Sequence, residues 1–261
     1  MSIGALHVAR TGLDAQGFRM QVIANNLANV NTTGFKRDRA SFETLSYQMM
    51  TAPGAPSTAE NRYATGLNLG TGVALGGTAR MDAQGSFQAT GNGLDVAIDG
   101  AGYFQVQMPD GRTGYTRAGN FGRSPDGTIV TSDGKPMTPA IQIPEDASNV
   151  TIGLDGTVSA TGADGTALEL GRIEIARFAN PAGLQAIGGN MLVQTQASGA
   201  PLVGVAGAEG RGTLRGGMLE GSNVNVVEEL VDMIETQRAY EVNSKMISAT
   251  DEMMKNASQT L

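Results

Sequence analysis

Side chains able to carry proton, nucleophilic or metal chemistry are few in this sequence, and their spacing gives them little to work with. The chain has one histidine, His7, and no cysteine among its 261 residues. A serine–histidine–acid relay would have to recruit that single imidazole. Thiolate nucleophiles, disulfides and Cys-ligated metals are excluded outright. Six Asp-Gly pairs lie between residues 99 and 165: Asp99-Gly100, Asp110-Gly111, Asp126-Gly127, Asp133-Gly134, Asp155-Gly156 and Asp164-Gly165. None sits in the alternating acidic loop with a closing Glu that holds calcium, so they are read as tight turns needing positive φ. Gly70-Thr71-Gly72 and Gly100-Ala101-Gly102 lack the Lys and the following helix of a phosphate loop. Glu228-Glu229 and Asp251-Glu252 read as a solvated helix face rather than a glycosidase pair. No cofactor, metal or small-molecule substrate is expected, and the chain reads as structural rather than enzymatic.

Asparagine is the odd feature. Asn25, Asn26, Asn29 and Asn31 stand within seven residues, although the Asn amide competes for backbone hydrogen bonds inside helices. Such a cluster predicts either amides that meet partners across an interface or a fraying helix end. The helix that would carry them is legible. Leu6, Leu13, Met20 and Leu27 repeat every seven residues, with Ala9, Ile23 and Val30 in the second seam position and Gln16 breaking it. It is expected to stop near Thr33, with Gly34 as the left-handed residue past the end and Phe35 placed to contact Val30, as in a Schellman ending.

The other end of the chain repeats the design. Val226, Met233, Tyr240, Ile247 and Met254 stand seven apart, beside a mixed seam of Leu230, Gln237, Ser244 and Asp251. Asn225 with Glu228 forms a start resembling a capping box, and each helix would run roughly 45–50 Å. Residues 1–40 carry five bases against two acids, residues 222–261 three bases against seven acids. Opposite signs favour side-by-side pairing, though exposed ion pairs add only about 0–1 kcal/mol each. The alternative is that each helix covers its own part of a globular core; pairing is preferred because the stretch between them lacks helical periodicity.

That stretch, about residues 70–220, reads as strands between the Asp-Gly turns, for example Tyr103 to Val106, Thr128 to Thr131 and Gly171 to Phe178. Residues Gln48 to Leu69, rich in Pro, Ala, Thr and Gly, read as an extended loop or ordered arm. The fold class expected is α+β: paired, coiled-coil-like terminal helices and a mainly antiparallel, Gly-rich β body. Residues 1–40 with 222–261 would form a helical assembly domain, 41–95 with 196–221 an arm and inner β domain, and 96–195 an outer β domain. With 37 Gly, no Trp and 5% aromatic residues, the apolar cores should be small and several.

A net charge of −7 and a pI near 4.8 argue against a nucleic-acid partner. No apolar run approaches the roughly 20 residues that span a bilayer. The opening Met1-Ser2-Ile3-Gly4-Ala5-Leu6 lacks the basic and apolar regions of a secretory signal, so any export is expected to use another route.

Three stretches carry a resemblance. Ala24-Asn25-Asn26-Leu27-Ala28-Asn29 with Asn31-Thr32-Thr33-Gly34-Phe35-Lys36 resembles the amino-terminal signature of bacterial flagellar rod and hook proteins. Ser222 to Leu230, continued by Gln237-Arg238-Ala239-Tyr240-Glu241, resembles their carboxy-terminal one, and Gly102 to Val106 with Tyr115-Thr116-Arg117-Ala118-Gly119-Asn120-Phe121 is similar to their β-domain pattern. Thr11 to Gln16 and the segment from Tyr47 through Pro53-Gly54-Ala55 to Gly70-Thr71-Gly72-Val73 resemble the distal-rod branch, the latter an insertion that separates it from hook subunits.

The resemblance implies a hollow, rigid helical homopolymer between periplasm and outer membrane, transmitting torque to the hook and conducting exported subunits. It implies as partners other copies of the chain, proximal rod proteins, the hook protein, basal-body ring proteins and the flagellar export apparatus, with no cleaved signal peptide. The assembly interface is then expected at Leu6, Leu13, Met20, Asn25, Asn26, Leu27 and Asn29 on the first helix, and at Val226, Leu230, Met233, Tyr240 and Ile247 on the second. Tyr47, Pro53, Pro56, Tyr63, Leu67 and Leu69 would form the rod-specific arm. A hook or proximal rod subunit, or a secreted protein acting on cell-wall glycan, are the rival readings.

Overall fold

The structure, a computed structural model, describes residues 2–56, 62–162 and 165–259. The chain forms two units, one taking in the residues up to Leu27, Asp38–Ala79 and the segment from Asn225 onward, the other Ala28–Arg37 and Arg80–Val224. Helices therefore lie in one unit and most strands in the other, an α+β fold with every strand pairing described antiparallel.

In the helical unit, α1 spans Ser2–Ala28 and is followed by β1 (Asp38–Thr44), β2 (Tyr47–Thr51), β3 (Leu67–Gly70) and β4 (Val73–Arg80). β1 pairs with β4 and β2 with β3. The Thr11 hydroxyl donates to the Val8 carbonyl at 2.9 Å and accepts the Val73 N–H at 3.3 Å, tying α1 to the start of β4. α2 spans Val226–Gln259. Asn225 caps its start, its side-chain oxygen accepting the Val227 N–H at 3.1 Å and satisfying an otherwise orphan donor, rather than the Glu228 N–H of the expected capping box.

In the other unit the strands are β5 (Phe87–Ala89), β6 (Val96–Asp99), β7 (Tyr103–Gln107), β8 (Thr113–Thr116), β9 (Phe121–Arg123), β10 (Ile129–Thr131), β11 (Ser148–Ile152) and β12 (Thr157–Thr161). There follow β13 (Ala167–Arg172), β14 (Glu174–Arg177), β15 (Gln185–Gly188), β16 (Met191–Val193), β17 (Leu202–Val205), β18 (Thr213–Gly216) and β19 (Met218–Glu220). The main sheet runs β15-β16-β8-β7-β14-β17, with β11-β12-β13 as a smaller sheet and β5/β19, β6/β18 and β9/β10 as ribbons.

Alternation along β7 and β14 builds two small cores on opposite faces of the main sheet. Phe104 opposite Ile175 points into one, with Ile98, Phe121, Ile129 and Leu214; Tyr103 opposite Ala176 points into the other, with Tyr115, Phe178 and Leu192. Edge-to-face rings give each its shape: Phe104–Phe121 at 5.1 Å and Tyr115–Phe178 at 4.8 Å. The glycine of every Asp-Gly pair has positive φ. Asp164 lies outside the described residues, and Asp99-Gly100 is a corner between β6 and β7, which are not paired, rather than a hairpin.

Three expectations need correction. α1 ends at Ala28, five residues before Thr33, and gives way to turns. Gly34 is left-handed (φ +68°), but its N–H donates to the Glu220 carbonyl at 2.8 Å instead of closing a Schellman motif, while the Phe35 N–H donates to the Thr32 carbonyl. What demands glycine there is close approach: a Cβ would lie 2.5 Å from the Arg117 carbonyl carbon. Secondly, residues 28–37 belong with the β unit, so neither unit follows the 1–40 boundary. Thirdly, the segment from Gln48 to Leu69, expected as an extended loop or ordered arm without strands, is in part a hairpin, β2 opposite β3 with Gln48 facing Leu69 in register; its residues 57–61 lie outside the described residues.

Candidate assembly surfaces

Within the helical unit α1 and α2 run antiparallel. Gly12 meets Asn243, Arg19 donates to Asp232 at 3.1 Å, and Asn26 donates to Glu229 at 3.2 Å, so the partner's number falls as α1 advances. Asn26 is fully spoken for inside the chain: its amide nitrogen also donates to the Asp38 carbonyl and its oxygen accepts the Asp38 N–H. Asn29 accepts from the Thr32 hydroxyl, and Asn25 lies on the exposed side of α1. Leu6, Leu13, Met20 and Leu27 are half-buried, while Ala9 and Ile23 are buried.

The face that α2 turns inward is not its most apolar one. Glu229 and Thr236 are buried and Asn243 and Thr250 half-buried, a polar repeat of seven flanked by half-buried Met233 and Ile247. The threonines stay satisfied by returning their hydroxyls to the helix backbone, Thr236 to Asp232 at 2.6 Å and Thr250 to Met246 at 2.7 Å. Val227, Val231, Ile234, Val242, Met246 and Met253 are all at least half exposed, from 50% to 69%. At 100° per residue they fall in one stripe roughly 120° wide, opposite the polar repeat. Leu230 is exposed at its edge, while Val226 and Tyr240, also exposed, fall toward the inward flank near Met233. Sequence reasoning found the heptad but missed this second stripe; the signal was the run of apolar residues at 226, 227, 230, 231 and 234, too broad for a single seam.

The hairpin presents a second exposed apolar set. Tyr47, Met49 and Met50 on β2, Leu67 and Leu69 on β3, and Tyr63 are each 46–64% exposed. Its turn end is held by backbone bonds from Gly54 to Tyr63 and from Tyr63 to Ala55, with Pro56 bridging Arg62 and Pro53 packed beside Gly66.

A third feature, in the β unit, escaped the sequence reading. Glu220, fully buried, accepts from Lys36 at 2.6 Å, from Arg117 at 3.1 Å and from the Gly85 N–H at 3.0 Å. Lys36 also donates to the Ala83 carbonyl at 2.8 Å and Arg117 to that of Gly100 at 2.7 Å, with its guanidinium over the Tyr103 ring. Burial pulls the Lys36 ammonium below its ordinary pKa against the opposing hold of Glu220. Burial first, then Asp82, which accepts its hydroxyl, pushes the Tyr103 phenol up. A signal did exist: two of the three recognised stretches carry one of these charges, Lys36 and Arg117, and Glu220 lies two residues before the third.

His7 is exposed on α1, and among the described residues no three His, Cys, Asp or Glu side chains gather as a metal would need. Among them, too, no helix is long and apolar enough to cross a membrane.

Comparison with known proteins matches residues 6–36 to the family described as flagella basal body rod protein, 97–160 to the flagellar hook protein FlgE/F/G D1 domain, and 215–260 to the flagellar basal body rod FlgEFG protein C-terminal family. The flagellar basal-body rod protein FlgG of Agrobacterium fabrum is 48% identical, over 98% of this chain and 99% of that protein. FlgG of Buchnera aphidicola from Schizaphis graminum is also 48% identical, with the same coverage. Identity falls to 36% for the rod protein FlgF of Caulobacter vibrioides, over 93% of this chain and 91% of that one. The crystal structure of the Helicobacter pylori hook protein FlgE2 aligns at a TM-score of 0.23 and 16% identity over 69% of this chain and 42% of that one, too slight a likeness to bear on the fold. Similar from end to end to FlgG proteins, the chain belongs to the flagellar basal-body rod family, in its FlgG, distal-rod branch.

Proposed function

We propose that this rod-family chain polymerises through its terminal helices into a hollow, stiff helical tube that carries torque to the hook and lets exported subunits pass. The exposed apolar stripe of α2 is the observation that carries this reading. A helix already paired on one side, with six large apolar side chains left in water on the other, has a surface with no use in a lone subunit. Burying each such side chain contributes roughly 1.5–3 kcal/mol. A tube needs contacts between unlike surfaces that repeat without closing, and a helix with two differently composed faces supplies them. Leu6, Leu13, Met20, Leu27, Met233 and Ile247 hold the intrachain pair in this scheme, Leu230 extends the outer stripe, and the exposed Val226 and Tyr240 offer contacts along the border of the pair.

Other copies of the chain are thus the first partners; proximal rod proteins, hook subunits and ring proteins would meet the ends and outside of the tube, between periplasm and outer membrane. Delivery would be through the flagellar export apparatus. The β2–β3 hairpin, apolar and exposed, would lie against neighbouring copies as a brace. Electron microscopy of the purified protein tests the assignment: straight hollow tubes are expected, and a protein that stays monomeric at every concentration and salt would overturn it.

A further inference from the structure

Residues 28–37 are held to the β unit by a dense set of polar ties. Of these ten residues Gly34 and Lys36 are buried, and Val30 and Phe35 are half-buried. Gly34 donates to the Glu220 carbonyl at 2.8 Å, Arg37 to the Asn223 side chain at 2.7 Å, and the Asn190 amide to the Thr33 carbonyl at 2.7 Å. Asn223 in turn donates to the Met81 and Ala83 carbonyls at 2.8 and 3.0 Å. At the centre stands Glu220 between Lys36 and Arg117, side chains 0–6% exposed. One carboxylate thus gathers the segment that leaves α1, the β8–β9 turn and the segment that leads to α2.

Its charge balance makes this cluster unlike a packing contact. Two cations share one anion in a site sealed from water, so losing the anion strands both. Removing one member of a buried pair leaves its partner's charge uncompensated, which is the costly way to break such a contact.

We infer that Lys36, Arg117 and Glu220 form a junction lock, which folds residues 28–37 onto the β unit independently of the helices and so fixes where α1 ends and α2 begins. The lock lies beyond the assembly reading and does not rest on it, because it operates in the lone subunit. Its consequence is that the segment leaving α1 and the segment leading into α2 are held together: the Asn223 N–H donates to the Phe35 carbonyl.

Hydrogen exchange on the full-length monomer, verified by size exclusion, tests this. Peptides covering 28–37 and 217–224 should be protected to the level of the 103–107 strand, whatever the protection of the helices. Lys36→Met leaves the Arg117–Glu220 pair neutral and the fold intact; it should speed exchange in 28–37 by tenfold or more without changing 103–107. Glu220→Gln, which strands two cations, should speed it on the order of a hundredfold. The double variant Lys36→Met/Glu220→Gln should lose less than the product of the single effects. Residues 28–37 exchanging as fast as unprotected chain in the wild type would overturn the lock. So would Lys36→Met leaving their protection unchanged, or strictly multiplicative effects in the double variant. Because the readout is on monomer, failure of the lock and failure of tube formation are separable.

Discussion

Single residues matter here through what a backbone must avoid as much as through what a side chain touches. Gly34 and Gly134 are both left-handed, with φ +68° and +78°, yet their surroundings differ. A Cβ on Gly34 would press into the Arg117–Ala118 backbone, while nothing lies within 4 Å of the corresponding position on Gly134. Gly134→Ala is therefore expected to cost only the backbone strain, about 1 kcal/mol, and Gly34→Ala about 2–4 kcal/mol as the junction is forced apart. Denaturant unfolding of the two variants checks this. Equal losses would mean that close approach plays no part at Gly34.

Among the elements, α2 makes the sharpest claim, since its two faces should respond oppositely to charge. Val231 is 51% exposed and Ile23, on the inward side of α1, is 4% exposed. Val231→Asp should leave the monomer within about 0.5 kcal/mol of wild type and yet abolish tubes, because the same carboxylate would be buried unpaired in the polymer. Ile23→Asp should destabilise the helix pair itself by about 3 kcal/mol or more. Circular dichroism and electron microscopy on both variants separate the faces; tubes of normal yield from Val231→Asp would remove the outer stripe from the interface. Both heptads were plain from spacing alone. Which face α1 would take was not, because α2 is apolar over more than one stripe, and the polar repeat Glu229, Thr236, Asn243, Thr250 reads as a solvated edge until Asn26 is found against it.

For the molecule in its polymer, stiffness is the property at stake. A hairpin whose Tyr47, Met49, Leu67 and Leu69 stand in water gains by lying on a neighbour, and two-stranded ribbons of this length are marginal alone. Deleting residues 47–70 and rejoining the chain should still permit polymerisation through the helices but yield curved or flexible tubes. Their curvature in micrographs is the measurement, and straight stiff tubes from the deletion would remove the hairpin as brace. Pairing of Tyr47–Thr51 with Leu67–Gly70 was not readable beforehand, since both runs are short and the intervening Pro, Ala, Thr and Gly suggest loop.

The sequence by itself determined the features that depend on neighbours along the chain: two long helices, the Asn225 cap, the positive φ of the Asp-Gly turns, the strands between them and the poverty of reactive side chains. Each follows from local spacing or from the conformational reach of one residue type. Only the tertiary structure decided which charges meet. Lys36 and Glu220 stand 184 positions apart, Arg117 and Glu220 103 apart. No periodicity links residues at such distances; they come together because the antiparallel sheet returns the chain beside its own beginning, where a buried carboxylate must find cations or not be buried at all.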